Sequence, residues 1–566
     1  MAELTKDAGH PTAGTDETFG IDPTIYARRW KTLVVLCTSL LIVIIGNTSL
    51  NVALPTLARE LEASTSSLQW MVDAYALVFA GLLFTAGTIG DRFGRKGALQ
   101  AGLGVFLVGA AFATVADTAG QVITARAIMG IAAAFVMPST LSILTNVFPA
   151  HERPRAIAIW AGISGGGAAI GPIASGWLIE HYWWGSVFLI NVPIILIALV
   201  AGAVLVPRSK DPEKVPLDFL GAGLSIIGLG SLVYAIIEGP HHGWASPETL
   251  LTFAASFTAL GLFAAWELRA RHPMLDLRLF RDRRFSVASA GMSLTFFAMF
   301  GTFFLVAQYF QLVLGYSALE SGLLQLPMAA VMMSVAPQVP KLVARFGAAR
   351  VVPFGLGFTA TGLAIFSQVG VSSSIAMVYL SILPLAFGMS LTMTPLTTLI
   401  MSSVPLGKAG VGSAMNDTTR ELGGALGVAV LGSLVTSQYA SSLAPALTGL
   451  PDGARSLADS GLTGALAVGQ QIGGAPGAAL TSAAQQAFVD GLGLAAIVGS
   501  LVVFSAAAAA WFLLPKGAPV PFGAVPGTPG DAVRPDAAGD VVDDGELEPS
   551  PTITDGDAGR EPTLVD

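Results

Sequence analysis

Apolar runs of roughly 20 residues, the length a ~30 Å hydrocarbon core requires of a helix, follow one another along nearly the whole chain. They fall near 31–55, 68–89, 98–116, 120–147, 155–178 and 187–207, then 217–237 and 248–267, then 285–314, 320–340, 351–369, 374–402, 411–436 and 486–514. An order of six, two and six, about fourteen spans in all, predicts an all-α integral membrane protein. Composition excludes the soluble globular alternative, because 53% of residues are apolar and only 12% charged, with mean hydropathy +0.69. The first run follows a polar stretch and is long enough to span, so it reads as a transmembrane helix and not as a cleaved signal.

Charge tests that layout independently, since short loops rich in Lys and Arg stay on the cytoplasmic side. By this count about 26 of the 29 basic residues share the side of the N-terminus, among them Arg28, Arg29, Arg92, Arg95, Lys96, Arg153, Arg155, Lys210, Arg281, Arg283, Arg284, Lys341 and Arg350. Arg59 and Arg455 fall outside, and Arg126 lies within a span. Trp30, Trp70, Trp183, Trp184, Trp244 and Trp511 sit at predicted span ends, where amphipathic rings prefer the interface. Both termini are therefore expected in the cytoplasm.

The expected organisation is a cytoplasmic segment 1–30, a six-helix bundle 31–207, a linker 208–282 with two extra helices, and a six-helix bundle 283–514. Within the second bundle, 437–485 is rich in Ala, Gly and Ser with little periodicity, and reads as a flexible outer connector more readily than as a lid. The segment 515–566 carries about eleven acidic and three basic residues and so the whole net charge of −8; it is expected to be disordered and cytoplasmic. Cys37, the single cysteine, lies in an apolar run, which leaves no disulfide or thiolate cluster.

A charged turn, GTIGDRFGRKG from Gly87 to Gly97, joins the second and third spans, and its glycines allow a tight reversal. VPKLVARFGAAR, Val339 to Arg350, stands at the same place in the last six spans, with Arg345, Phe346 and Gly347 matching and Ala344 in place of the acid. Two halves related in this way are the trace of a transporter built from repeats, with its substrate site at their interface.

These residues together resemble the major facilitator superfamily, in particular its fourteen-helix drug:proton antiporter branch, from about residue 31 to 514. Gly87, Gly90, Asp91, Arg92, Gly94, Arg95 and Lys96 resemble the superfamily's signature loop between helices two and three. Arg126 and Gly130 in ARAIMG resemble the fourth-helix motif, although Met129 stands where Gln is common. Gly167, Gly171, Pro172 and Gly176 in GAAIGPIASG resemble the fifth-helix antiporter motif, with Ser175 replacing a glycine. NVALP (Asn51 to Pro55), FLINVP (Phe188 to Pro193) and EGPHHGW (Glu238 to Trp244) resemble the fourteen-helix branch. The resemblance implies the major facilitator fold and alternating access, and a role for Asp91 in latching the halves in the outward-facing state.

Gly46 stands where many relatives have an aspartate, which moves attention to Asp73, because some relatives carry an acid at this place in helix two. A carboxylate one turn inside a span costs a few kcal/mol unless paired or hydrated. Asp73 and Arg126 lie at similar distances from the outer ends of helices two and four, so they are expected to share one depth. Desolvation favours the neutral acid and a nearby cation favours the carboxylate, so such a group can load and release a proton; a permanent buried ion pair is the plainer alternative. Asn416, Asp417, Arg420 and Glu421 open helix thirteen, where the two acids share a face and Arg420 can neutralise both. Weaker candidates for the wall of a substrate cavity are Asn47, Asn51, Phe300, Phe304, Gln308, Gln311, Met389, Met393, Asp417 and Glu421. Phe296, Phe297 and Phe303 belong to the same Phe stripe, for which lipid or helix packing is the ordinary use.

No GxxxxGK[ST] loop occurs, no His, Cys or acid spacing suggests a metal, and no nucleophile, base and orienter set is evident. An enzyme is not expected, nor a cofactor or metal. The partners expected are a small-molecule substrate, protons and the lipid bilayer, without nucleic acid, for a monomer in the plasma membrane of a bacterium. Proton-coupled export of amphipathic or cationic toxic compounds is the first expectation. Export of one endogenous metabolite (antibiotic, siderophore or lipid) and a transporter-like sensor or scaffold are the alternatives.

Overall fold

A computed structural model of the chain describes residues 22–149, 152–210, 217–404 and 409–515. Its long helices are α1 Pro23–Glu60, α2 Thr65–Phe93, α3 Arg95–Thr114, α4 Ala119–Val147, α5 Arg153–His181 and α6 Ser186–Leu205. Then come α7 Phe219–His242 and α8 Pro247–Arg269, followed by α9 Arg283–Val313 and α10 Ala318–Phe346. The last are α11 Ala348–Phe366, α12 Ile375–Ser402, α13 Ala409–Leu443 and α14 Gly474–Leu513. Among the described residues thirteen of these are long and apolar enough to cross a membrane; α5, with 29 residues, is the remaining long helix. All the regular structure described is helical. The six, two, six order of spans therefore matches the observed helices, and the tail from 516 lies outside the described residues.

Local chemistry sets the helix ends. Ser64, Thr118, Asp218 and Ser246 accept hydrogen bonds from the backbone amides of Ser67, Gln121, Gly221 and Thr249, capping α2, α4, α7 and α8. Ser317 and Glu320 form a reciprocal capping box at the start of α10. Prolines segment that helix: Pro327, Pro337 and Pro340 each stand at the beginning of a fresh helical piece. Gly94 at φ +127 and Gly347 at φ +79 break α2 from α3 and α10 from α11 at equivalent points, so the repeat read in the sequence is also a repeat of backbone. Arg92 lies over the Phe93 ring at 5.3 Å and Arg345 over Phe346 at 5.2 Å, which extends the correspondence to side chains.

Helices α1 to α6 pack into one bundle and α9 to α14 into another. The most buried spans are α2 and α9, each 72% inside the protein, whereas α8 at 17% is the most peripheral. The extra helices α7 and α8 pair with one another, and α7 lies against both α2 and α13. Because successive helices reverse direction, the basic loops gather at one end of the bundles, here the basic face, with Arg59 and Arg455 at the opposite, far face.

Ties between the bundles occur toward the far face. Gln69 of α2 donates to the carbonyls of Val428 and Ala429 on α13, both at 3.1 Å, and Gln311 of α9 donates to Val52 O on α1 at 2.9 Å. Leu319 N of α10 donates to Glu180 Oε1 of α5 at 3.0 Å. Close to these, a Cβ on Gly176 of α5 would lie 2.6 Å from Ala318 O of α10, so backbone meets backbone there.

One expectation needs correction. The stretch 437–485 is mostly helix and not a flexible connector: α13 runs on to Leu443, helices Asp452–Asp459 and Leu462–Ile472 follow, and α14 begins at Gly474. Ala458, Leu462, Ala465 and Val468 are buried, and Thr65 N donates to Ser460 O at 3.1 Å, which ties this segment to the start of α2. Alanine is the best helix former, and Leu462, Ala465 and Val468 recur at helical spacing on the buried face, a period that the Ala, Gly and Ser-rich composition obscures.

Candidate functional site

At mid-depth a narrow cavity opens between the bundles, lined by Val43, Ile44 and Asn47 of α1, Tyr75 and Phe79 of α2, Met137 of α4, and Asp417, Arg420 and Glu421 of α13. Its charged lining comes from the second bundle. From the first bundle Arg126 of α4 is the nearby cation, completely buried.

Arg126 is held by backbone as much as by charge. Nε donates to Met71 O at 2.9 Å, Nη1 to Gly46 O at 2.8 Å, and Nη2 reaches Asn47 Oδ1 at 3.5 Å. Its guanidinium lies over the Tyr75 ring, 4.4 Å from the centroid, a favourable cation–π placement. Glu421, across the bundle interface, lines the same cavity as Asn47 and Tyr75, the two side chains that contact Arg126. On α13, Arg420 Nη1 stands 3.6 Å from Asp417 Oδ1 and lies over Phe296 at 4.7 Å. Asp417 also receives a 3.4 Å contact from Asn416 Nδ2, whose Oδ1 accepts from Thr397 at 3.0 Å. Glu421 Oε2 is buried without a hydrogen-bond partner.

The expected pairing of Asp73 with Arg126 does not form. Asp73 is completely buried and both of its carboxylate oxygens lack a hydrogen-bond partner. The reason is direction around the helix: Met71 and Tyr75 carry the face of α2 toward α4, since Arg126 bonds Met71 O and a Cβ on Gly130 would lie 2.6 Å from Tyr75 O. Two residues along a helix of 3.6 residues per turn is a rotation of about 200°, so Asp73 is on the opposite side. It shares its face with Trp70, Ala76 and Leu77, of which Ala76 and Leu77 pack with Val233 and Ile237 of α7 and with Ala425 and Ala429 of α13.

Gly46 is likewise explained by its neighbours. A Cβ there would lie 2.9 Å from the tip of the buried Phe106 ring, and the Gly46 carbonyl serves Arg126. Aromatic volume and a backbone oxygen occupy the place where a carboxylate would stand.

Of the weaker candidates, Asn47, Asp417 and Glu421 line the cavity. The others do not. Phe300 packs edge-on against Phe296 at 5.7 Å, while Phe304 and Met389 are fully buried in the core and Met393 is partly buried against it. Gln308 donates to Phe304 O of its own helix, Gln311 ties to α1, and Asn51 is buried in α1. Sequence reasoning passed over Val43, Ile44, Tyr75, Phe79 and Met137 of the lining; for Tyr75, an aromatic hydroxyl two positions from a candidate acid was the available signal.

The charged turn at the basic face is self-contained. Arg95 Nε donates to Asp91 Oδ1 at 2.7 Å and Ser142 Oγ to the same oxygen at 3.0 Å, while Lys96 Nζ donates to Ala203 O at 2.7 Å. Asp91 thus engages α3 and α4, both in the first bundle. Gly87 sits 3.5 Å, as a notional Cβ, from Pro138, and Gly90 3.1 Å from Ala98, which keeps α2 close to α3 and α4. In α5 the glycines divide: Gly167 and Gly171 pack on Leu41, Ile44 and Thr48 of α1, whereas Gly176 faces α10 and Pro172 O approaches Gly322.

The sequence pattern of the Major Facilitator Superfamily matches residues 36–428. Among curated proteins the chain is 37% identical over 482 residues to the multidrug efflux pump LfrA of Mycolicibacterium smegmatis, covering 85% of this chain and 95% of that protein. It is 32% identical to the tetracenomycin C resistance and export protein of Streptomyces glaucescens (88% and 94% covered). To the methyl viologen resistance protein SmvA of Salmonella typhimurium it is 33% identical (86% and 99%). Among solved structures, a bacterial homolog of the human lysosomal transporter Spinster, inward-facing and unoccupied, superposes with a TM-score of 0.59 at 17% identity, over 85% of this chain and 97% of that one.

Proposed function

The chain belongs to the Major Facilitator Superfamily and is a multi-pass membrane transporter, not an enzyme, and from that premise we propose that it exports amphipathic, cationic compounds in exchange for protons. The observation that carries this reading is the charge arrangement at the bundle interface: Asp417, Arg420 and Glu421 from one half face Asn47 and Tyr75, the contacts of Arg126, from the other, around a cavity at mid-depth. In a major facilitator protein that interface is where substrate is held while the halves rock about it. A lipophilic cation entering there competes with Arg420 for Asp417 and finds Glu421 Oε2 without a hydrogen-bond partner, which is how one charge exchanges for another in a low-dielectric site.

The basic face is read as cytoplasmic, by the retention of Lys and Arg loops, with both termini on that side. The bundles are tied at the far face, so this state opens inward. Asp73 is buried without a hydrogen-bond partner in the sealed seam, where an unpaired charge is costly. When the seam parts outward, the same group meets water and can ionise or reload, which couples its proton to the direction of opening. One proton moved through 100 mV supplies about 2.3 kcal/mol, enough to concentrate a substrate by more than tenfold. Export from the cell is supported by the efflux and resistance functions of the relatives named above.

The test is dye uptake into energised inverted vesicles. Wild type is expected to accumulate a cationic dye until the pH gradient is collapsed, and Asp73→Asn to lose gradient-driven uptake while still binding dye. Uptake that persists without any pH gradient overturns proton coupling, and wild-type behaviour of Asp73→Asn overturns its assignment. Growth challenge with a panel of cationic dyes and antibiotics separates broad export from export of one compound.

A further inference from the structure

Helix α7 bridges the two halves along the very seam that buries Asp73. On the first-bundle side, Glu238 Oε1 accepts from Trp70 Nε1 at 3.2 Å, and the Tyr234 ring is 6.1 Å from that of Trp70. Deeper in the membrane, a Cβ on Gly81 of α2 would lie 2.5 Å from Ile226 Cγ1 and 3.7 Å from Ile226 Cβ of α7. On the second-bundle side, Ser433 Oγ of α13 donates to Ile236 O at 2.7 Å and Trp244 Nε1 donates to Ser437 Oγ at 3.4 Å. Gly239 is pressed beneath Trp244, since a Cβ there would lie 2.7 Å from the indole ring. Along α7 the contacts named with α2 thus run from Glu238 in to Ile226, while those with α13 run from Trp244 in to Val233, which packs with Ala425 and Ala429 near the middle of α13.

We propose that the EGPHHGW segment, Glu238 to Trp244, is a clasp over the coupling acid: α7 travels with α2, and its bonds to α13 close and release in every transport cycle. Outward opening must part the outer ends of α2 and α13, breaking the bonds from Gln69 to Val428 and Ala429. A rigid helix fixed to both cannot follow both. It keeps the partner with which it also packs in its inner half, at Ile226, and leaves the one whose named contacts stop at Val233. While the clasp is shut, α7 and α13 together close the side of α2 on which Asp73 lies, and parting α13 from the α2–α7 pair opens it. Glu238, bonded to Trp70 one turn outward of Asp73, marks the rim that opens. This also gives the extra helix pair a task that a twelve-helix transporter with its acid inside the cavity does not need.

The inference rests on the alternating-access reading, and the experiment separates the two. In a Cys37→Ser background, Gly81→Cys with Ile226→Cys ties α7 to α2, the Cβ separation being within disulfide range. Ile236→Cys with Ser433→Cys, joined by a short bifunctional maleimide, ties α7 to α13. The α7–α2 link is expected to leave dye efflux within about twofold of the reduced protein, as a contact inside one rigid body should. The α7–α13 link is expected to reduce efflux to the background of empty vesicles. Arrest by both links, by neither, or by the α7–α2 link alone overturns the clasp. A labelling measurement does not depend on transport: Trp244→Phe is expected to increase modification of Asp73→Cys by an impermeant maleimide applied from outside, and unchanged labelling overturns the proposal. If wild type moves no dye, the transport reading fails, while the labelling experiment still tests the clasp.

Discussion

Arg126 is the residue on which the interface depends, because its guanidinium is spent on three oxygens and a ring at once: Met71 O, Gly46 O, Asn47 Oδ1 and Tyr75. A lysine places its charge at one point and cannot span that set. Arg126→Lys is therefore expected to insert and fold, yet to lose at least about tenfold in dye transport, since one lost charge-assisted hydrogen bond is worth roughly 1.5–3 kcal/mol; transport within twofold of wild type would show that charge alone suffices. Asp73 teaches the complementary lesson. That a buried acid in α2 calls for special accommodation was legible from its type and its distance from the span end. Its partner was not, because depth along a helix can be counted whereas the side it faces depends on which neighbours pack there. Glu421, four residues after Asp417, was visible as a candidate but not as a neighbour of Asn47 and Tyr75 on one cavity, since nothing in a sequence relates helices one and two to residue 421.

At the level of helices, small residues decide how closely neighbours approach. The glycines of α5 were recognisable as a set, but they serve two partners: Gly167 and Gly171 lie against α1 within a bundle, and Gly176 lies against α10 across the interface. Gly176→Leu is expected to push α5 and α10 apart at the outer end. Outside labelling of a cysteine placed at Asn47 should then rise while transport falls, because a conformational equilibrium biased to one state slows the cycle; unchanged labelling would show that α5 and α10 need not touch to seal the exit. Helix ends capped by Ser, Thr or Asp and the two Gly breaks at 94 and 347 followed from local rules. The helices at Asp452–Asp459 and Leu462–Ile472 did not, because they are short and are held by packing on one another and on α14 and by Tyr439 of α13, whose hydroxyl donates to Ala458 O.

For the whole molecule, the six, two, six layout and the segregation of Lys and Arg came directly from hydropathy and charge, and the superfamily membership accords with them. If transport is the function, the acidic segment after Leu514 is dispensable for it. A chain ending at Leu514 is expected to export dye at the wild-type rate, as read by the same vesicle assay; complete loss with normal insertion would favour a sensor or scaffold that acts through this segment.

The sequence by itself determined the solvent, the number and direction of the helices, the repeat and the list of chemically unusual residues, because each of these follows from hydrophobicity and charge counted along one dimension. Tertiary packing alone settled that Arg126 is held by Met71, Gly46 and Asn47 and not by Asp73, that Phe106 fills the space beside Gly46, and that α7 lies against both α2 and α13. Those outcomes depend on rotation about helix axes and on contacts between residues hundreds of positions apart, and both are settled by packing between helices rather than by any property local to the chain.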